Sequence, residues 1–221
     1  MCILCYITFR VIYVKIIFGT TNNRKVEDLK KVVRMLNLNL EILGLTDIGW
    51  NLGEIDETGL TIEENSLIKA TTIYDFCVQK NINYPIITDD AGLFCEGLDG
   101  EPGIYTARYA DDEIQKNPEL PKYQCVIKLL RNLDGKSNRN AKYKCVVTCM
   151  FSDGSYFQEY GESRGTISKE IIGELKKPYF YSVFILDEYQ KVFSNLTEEE
   201  LKDTYRYCAL KKTLSRVNND L

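Results

Sequence analysis

Val14-Lys15-Ile16-Ile17-Phe18-Gly19-Thr20-Thr21-Asn22-Asn23-Arg24-Lys25-Val26 is the stretch on which the fold turns. Val14–Phe18 is a β-branched, apolar run of strand length. Gly19–Asn23 is a polar turn, after which Val26, Leu29, Val33 and Leu36 fall at helical spacing. Strand, polar turn and amphipathic helix in that order open an α/β protein. The turn also suits a phosphate, with backbone N–H groups at a helix start, side chains of Thr20 and Asn22, and Lys25 close by. It is not a Walker A loop, because Arg24 stands at the second glycine position and Val26 at the hydroxyl position. A capped helix with an exposed lysine explains the same residues, and the segment alone does not separate the two readings.

Outward from this unit the alternation continues. A strand is predicted near Leu40–Leu45. Thr61 and Glu64 fit a capping box, opening a helix whose stripe is Leu67, Thr71, Tyr74 and Val78. Pro85–Thr88 reads as a short strand ending at Asp89-Asp90. Tyr123–Leu133 reads as a helix, and Tyr143–Phe151 with Tyr156–Tyr160 as a hairpin that opens a second lobe. Val183–Leu186 is the last strand expected, and a helix over Thr197–Val217, capped by Thr197 and Glu200, closes the chain. The order predicts one α/β domain over residues 1–221 with a mixed sheet.

With 221 residues, 44% of them hydrophobic and 27% charged, the chain has room for one domain or two close-packed lobes. Its 28 basic and 32 acidic residues, a net charge of −4, argue against a nucleic-acid partner. There is no histidine, which excludes Ser-His-Asp triads, Cys-His dyads and His-ligated metals. The eight cysteines mostly sit inside apolar runs and read as reduced packing residues of a cytoplasmic protein. Cys2 and Cys5 lack a second pair for a zinc site, and Cys145 and Cys149 share a strand face. The apolar N-terminus is interrupted by Arg10 and Lys15 and lacks a basic leader and cleavage site, so neither a signal peptide nor a membrane span is expected. Residues 1–13 read as an extra strand or an N-terminal extension.

Acidic residues form a second constellation. Glu54, Asp56 and Glu57 precede the capped helix, and Asp89 and Asp90 end a short buried strand, where ligands bind in open α/β sheets. Such carboxylates, completed by substrate phosphates, suit Mg²⁺; a solvated acidic turn is the plain alternative. Asn65 and Lys69 share one helix face. Asp99–Tyr109 is a Gly/Pro turn leading to Arg108 and, by itself, only a loop signal.

Together these segments resemble the inosine triphosphate pyrophosphatase family. The matches are T-x-N-x-x-K at Thr20, Asn22 and Lys25, E-T-G-x-T-x-x-E-N-x-x-x-K-A at Glu57–Ala70, D-D-x-G-L at Asp89–Leu93, and the block Gly100–Tyr109. They lie in the family's order and spacing. The C-terminal part departs from it: the family's aspartate falls on Tyr181, its histidine on Tyr205, its lysine on Glu200 and its serine on Ala91, whereas its arginine is kept as Arg206.

The resemblance implies an elongated, two-lobed α/β fold with a long mixed sheet, the nucleotide in the cleft and a homodimeric assembly. It implies hydrolysis of a nonstandard purine nucleoside triphosphate to the monophosphate and pyrophosphate. Mg²⁺ would be held by Glu57 and Asp90, with Asp89 as a further ligand, and Asp90 would take the proton of the attacking water. Thr20, Asn22, Lys25 and Lys69 would hold the triphosphate, and Arg206 would approach the nucleotide. Tyr181 and Tyr205 would face the base, offering neutral hydroxyls and rings for stacking, so preference for inosine and xanthosine forms is expected to weaken. The same chemistry on another nucleotide, or a nucleotide-binding protein without turnover, are the alternatives.

Overall fold

The computed structural model describes residues 14–53 and 55–220; the expectations for residues 1–13, for Cys2 and Cys5, and for Glu54 lie outside the described residues. β1 (Val14–Phe18) and α1 (Asn23–Met35) form the expected opening unit. There follow β2 (Leu40–Gly44), α2 (Ile62–Lys80), β3 (Ile86–Cys95), β4 (Pro102–Gly103), α3 (Asp111–Lys116) and α4 (Gln124–Asn132). The second half comprises β5 (Asn140–Met150), β6 (Tyr156–Ile167), β7 (Phe184–Leu186), β8 (Lys191–Val192), α5 (Glu198–Leu201) and α6 (Tyr205–Asp220). One sheet runs in the order β2-β1-β3-β5-β6-β7-β8, with β4 also on β3. β1 is parallel to β2 and β3, and the later pairings are antiparallel, so the sheet is mixed.

The long strands β3, β5 and β6 are the spine. β1 meets β3 only at Ile17↔Ile86 and Phe18↔Ile87, and β4 meets it at Leu93↔Gly103 and Phe94↔Pro102. β7 joins β6 at Gly165–Ile167, the far end. Two lobes thus sit at the two ends of the spine. Between them, Thr88–Gly92 has β5 on one side and none of the described strands on the other. That gap is the cleft. The β5–β6 hairpin, expected to open the second lobe, instead runs through both.

Strand alternation sends consecutive residues to opposite faces. Ile16, Phe18 and Ile87 pack with Leu29 of α1 and Leu210 of α6, whereas Ile17 and Ile86 pack with Ile73 and Cys77 of α2. At Gly19 a Cβ would lie 2.3 Å from Ile73 Cδ1 and 2.7 Å from Thr88 Cγ2, so glycine is needed where β1 ends between α2 and β3.

Four local expectations are corrected. The buried face of α2 is Ile62, Ser66, Ala70, Ile73 and Cys77, not the stripe containing Val78, which is 59% exposed. Thr61 caps Glu64 N–H, but the Glu64 carboxylate accepts from Leu60 N–H, so the box is incomplete there. β3 does not stop at Asp89-Asp90, because β5 pairs with it through to Cys95. The C-terminal helix breaks after α5, whose capping box is complete. Thr204 Oγ1 donates to the Leu201 carbonyl, and Tyr205 N–H is drawn to Ser163 Oγ at 2.8 Å on β6. The restart at Tyr205 puts Arg206 in the first turn of α6.

Candidate active site

Asp89 and Asp90 lie mid-strand in β3, beside the gap left where β1 stops. Because they are consecutive, Asp89 points to the α1/α6 face and Asp90 to the α2 face, and Asp90 lines the open edge. The cleft there has a volume of about 620 Å³. Charged residues, among them Lys25, Glu57, Lys69, Asp90 and Arg206, line it. Ile104, Tyr143, Tyr179, Phe180 and Tyr181 line it as well.

On the α1/α6 face, Asp89 is 3% exposed and binds two cations. Oδ1 accepts from Lys25 Nζ at 3.0 Å, and Oδ2 accepts from the Arg206 guanidinium. Burial favours the neutral acid, but the charges of Arg206 and Lys25 outweigh it and hold the Asp89 carboxyl well below the usual range. Burial pushes Lys25 down despite Asp89, with Arg206 and Lys69 adding to the fall.

On the α2 face the arrangement is inverted. Lys69 Nζ lies 3.2 Å from Glu57 Oε1 and 3.3 Å from Asp90 Oδ1, one cation between two carboxylates. Burial works against the Lys69 charge, but Asp90, Asp89 and Glu57 together raise its pKa. Burial raises the Asp90 carboxyl, aided by Glu57 and Asp89, and exceeds the opposing pull of Lys69. Asp90 Oδ2 is buried without a hydrogen-bond partner. Glu57 is held by a clipped loop: Gly59 N–H donates to Asn65 Oδ1 at 2.9 Å, beside the Leu60–Glu64 bond. A Cβ at Gly59 would lie 2.6 Å from Glu64 Cβ, so the loop closes only on glycine.

The fixed distance between α2 and β3 comes from a hydroxyl cluster. Ser66 Oγ lies 2.7 Å from Thr148 Oγ1, and Thr88 Oγ1 donates to the Ser66 carbonyl at 2.7 Å. Asn22 and Thr20 are engaged locally, Asn22 Oδ1 accepting from Arg24 N–H as the α1 cap and Thr20 Oγ1 accepting from Asn22 N–H. Arg24 ties that turn to the Lys177 carbonyl at 3.1 Å.

Among the aromatic residues of the lining, the hydroxyls of Tyr181 and Tyr205 lie 2.6 Å apart. Tyr205 is 3% exposed and stacks on Tyr143, ring centroids 4.9 Å apart and planes at 11°. Tyr143 thus covers one face of its ring, and Tyr181 packs half-buried against Phe193 at 4.1 Å; both tyrosines border the cleft. Tyr143, Arg108, Lys122 and Lys177 also line the cleft and were given no role from the sequence. For Arg108 the block ending Tyr-Thr-Ala-Arg was the available signal; for Tyr143, inside an ordinary strand pattern, there was none.

Among the described residues no group of three or more Asp, Glu or Cys is arranged to hold a metal alone, and no helix is long and apolar enough to cross a membrane. The described cysteines form no disulfide, and Cys77, Cys95, Cys145 and Cys149 are buried.

The Ham1 family profile matches residues 16–216. A dITP/XTP pyrophosphatase of Flavobacterium psychrophilum is 34% identical over 186 residues, covering 84% of this chain and 89% of that protein. Another, from Bacillus subtilis, is 32% identical over 203 residues, covering 91% and 96%. The Staphylococcus aureus Ham1 protein superposes with a TM-score of 0.75 at 26% identity, covering 94% of this chain and all (100%) of that one. A HAM1 protein from Coxiella burnetii gives 0.77 at 23% identity over 94% and 100%, a likeness of fold. With its mixed sheet, interlobe cleft and match over most of its length, this chain belongs to the Ham1 family.

Proposed function

We propose that the protein hydrolyses the α–β phosphoanhydride of a nonstandard purine nucleoside triphosphate, releasing the monophosphate and pyrophosphate. The observation that carries this reading is the cleft lining, with Lys25, Lys69 and Arg206 beside the carboxylates Glu57 and Asp90 and with aromatic rings in the same cavity. The names of the relatives, dITP/XTP pyrophosphatases, support it.

Glu57 and Asp90 fit a divalent ion: hard oxygen donors, both within reach of one ammonium group, with Asp90 Oδ2 unpartnered. Mg²⁺ is commonly held by one or two carboxylates plus substrate phosphates, so a third protein ligand is not required. When bound, it would neutralise phosphate charge and acidify the attacking water. Asp90, with one carboxylate oxygen unpartnered, is assigned to accept the water's proton. Lys25, Lys69 and Arg206 hold the phosphates, and the Thr20–Asn22 turn presents the α1 N-terminus to them. Asp89, saturated by two cations, is assigned to orienting them rather than to the metal.

Pyrophosphate release from inosine, xanthosine, adenosine and guanosine triphosphates, with Mg²⁺ and with EDTA, tests the reading. No release from any of them, or full rates in EDTA, would overturn it. Residues 1–221 are taken as one domain, cytoplasmic because its cysteines read as reduced packing residues, and as a homodimer because the family resemblance implies one; sedimentation of the purified protein at micromolar concentration checks the dimer.

A further inference from the structure

The Lys69 ammonium occupies the space between Glu57 and Asp90, 3.2 and 3.3 Å from their oxygens, and its side chain is 11% exposed. It is anchored from behind: α2 is fastened to β3 through Ser66, Thr88 and Thr148, and Glu57 is fastened to α2 through Gly59 and Asn65. A carboxylate pair whose intervening space is already filled by a built-in cation is a poor site for a free metal ion. An incoming divalent ion must displace the ammonium, and the neighbouring anion Asp89 cannot receive it, since both its oxygens are engaged by Lys25 and Arg206. A polyphosphate arriving in the same cleft supplies the missing acceptor.

We infer that Lys69 is an internal stand-in for the metal, which bars a free divalent ion from Glu57 and Asp90 until a polyphosphate draws the lysine away. The proposal rests on the metal and phosphate reading given above. It makes metal and polyphosphate binding mutually dependent in the linkage sense, each raising the other's affinity by the same factor. It also assigns the lysine two partners in turn, carboxylates in the resting protein and phosphate oxygens in the loaded one. No proton is gained or lost, since the ammonium stays charged in both positions.

The experiment is titration of the purified protein with Mn²⁺, read by electron paramagnetic resonance, with and without inorganic tripolyphosphate. Wild-type protein is expected to bind Mn²⁺ at least ~10-fold more weakly alone than with tripolyphosphate, a difference of about 1.4 kcal/mol. Lys69→Met should gain at least ~10-fold in affinity for Mn²⁺ alone, and Lys69→Arg, which keeps the charge, should not. Thermal melts guard against misfolding: Lys69→Met without metal should melt lower than wild type and recover on adding Mn²⁺, whereas the wild-type midpoint should be insensitive to Mn²⁺ alone. Tight Mn²⁺ binding by wild type alone, or no gain in a folded Lys69→Met, overturns the proposal. A protein that behaves as expected here but releases no pyrophosphate from any nucleotide would sink the functional reading and leave this one standing.

Discussion

Asp89 and Asp90 are neighbours in one strand, yet their surroundings are mirror images in charge. Asp89 is one carboxylate between two cations; Asp90 is one of two carboxylates around a single cation. The first set, with Lys25 and Arg206, sums to +1, and the second, with Glu57 and Lys69, to −1. The first has every oxygen engaged and a depressed carboxyl pKa; the second keeps an unpartnered oxygen and a raised one. Two identical side chains one residue apart are thus given different work by strand alternation alone. The saturated one holds structure and aims cations, and the unsaturated one is left reactive.

The comparison breaks most readily at Asp89. Asp89→Asn leaves two buried cations facing a neutral amide, and losing one partner of a buried pair costs ~3–5 kcal/mol. At ~2–4 °C per kcal/mol for a chain of this size, the melting midpoint should fall on the order of 10 °C. The sign with pH is fixed: a depressed folded-state pKa gives stability that is present above the unfolded value of ~3.9 and is lost as pH falls through the folded one. Acid titration of stability should therefore be flatter in Asp89→Asn than in wild type. An unchanged midpoint would mean that the two faces are alike after all.

At Asp90 the expected loss is in rate. Asp90→Asn should lower turnover by at least ~10²-fold; Lys69 keeps Glu57 as a charged partner, so the melting midpoint should fall less than in Asp89→Asn. Near-normal turnover in a folded variant would remove Asp90 from the chemistry. Lys25→Ala should weaken all triphosphates by a similar factor, ~10-fold for one charged contact, and reduce the salt sensitivity of binding. A changed ranking of bases would place Lys25 elsewhere than on phosphate. The smallest effect belongs to the aromatic lining. With Tyr181 and Tyr205 hydrogen-bonded to each other, the preference in kcat/KM for inosine over adenosine triphosphate should stay below ~10²-fold, since strong rejection needs a dedicated partner left unpaired.

What was legible in the sequence was local. The strand-turn-helix at Val14–Met35 and the cap at Thr197 follow from side chains a few residues apart. The partners of the two aspartates were not legible: Lys25 lies 64 positions from Asp89 and Arg206 lies 117 from it. The face of α2 was misjudged because Ser66 and Ala70, small or polar, form its contact with the sheet and leave no hydrophobic signature. The break before α6 was invisible because Lys202–Thr204 can sit in a helix, and the pull comes from Ser163 on another strand. The resemblance supplied what local patterns lacked, bringing Glu57, Lys69, Asp90 and Arg206 into one cleft before any geometry was known.

The missing strand beside Thr88–Gly92 has a consequence for amide exchange. Gly19 N–H donates to the Ile87 carbonyl, and Leu93 N–H to Thr106 Oγ1, so the odd-numbered peptide groups of β3 face the open edge. Between those two anchors, the amides of Asp89 and Ala91 look into the cleft while those of Thr88 and Asp90 face β5. Deuterium should enter the middle of this central strand at alternate positions, fast at Asp89 and Ala91 and slow at their neighbours. Any ligand seated in the cleft will then announce itself as protection at those two amides, without a label, a substrate or a turnover assay.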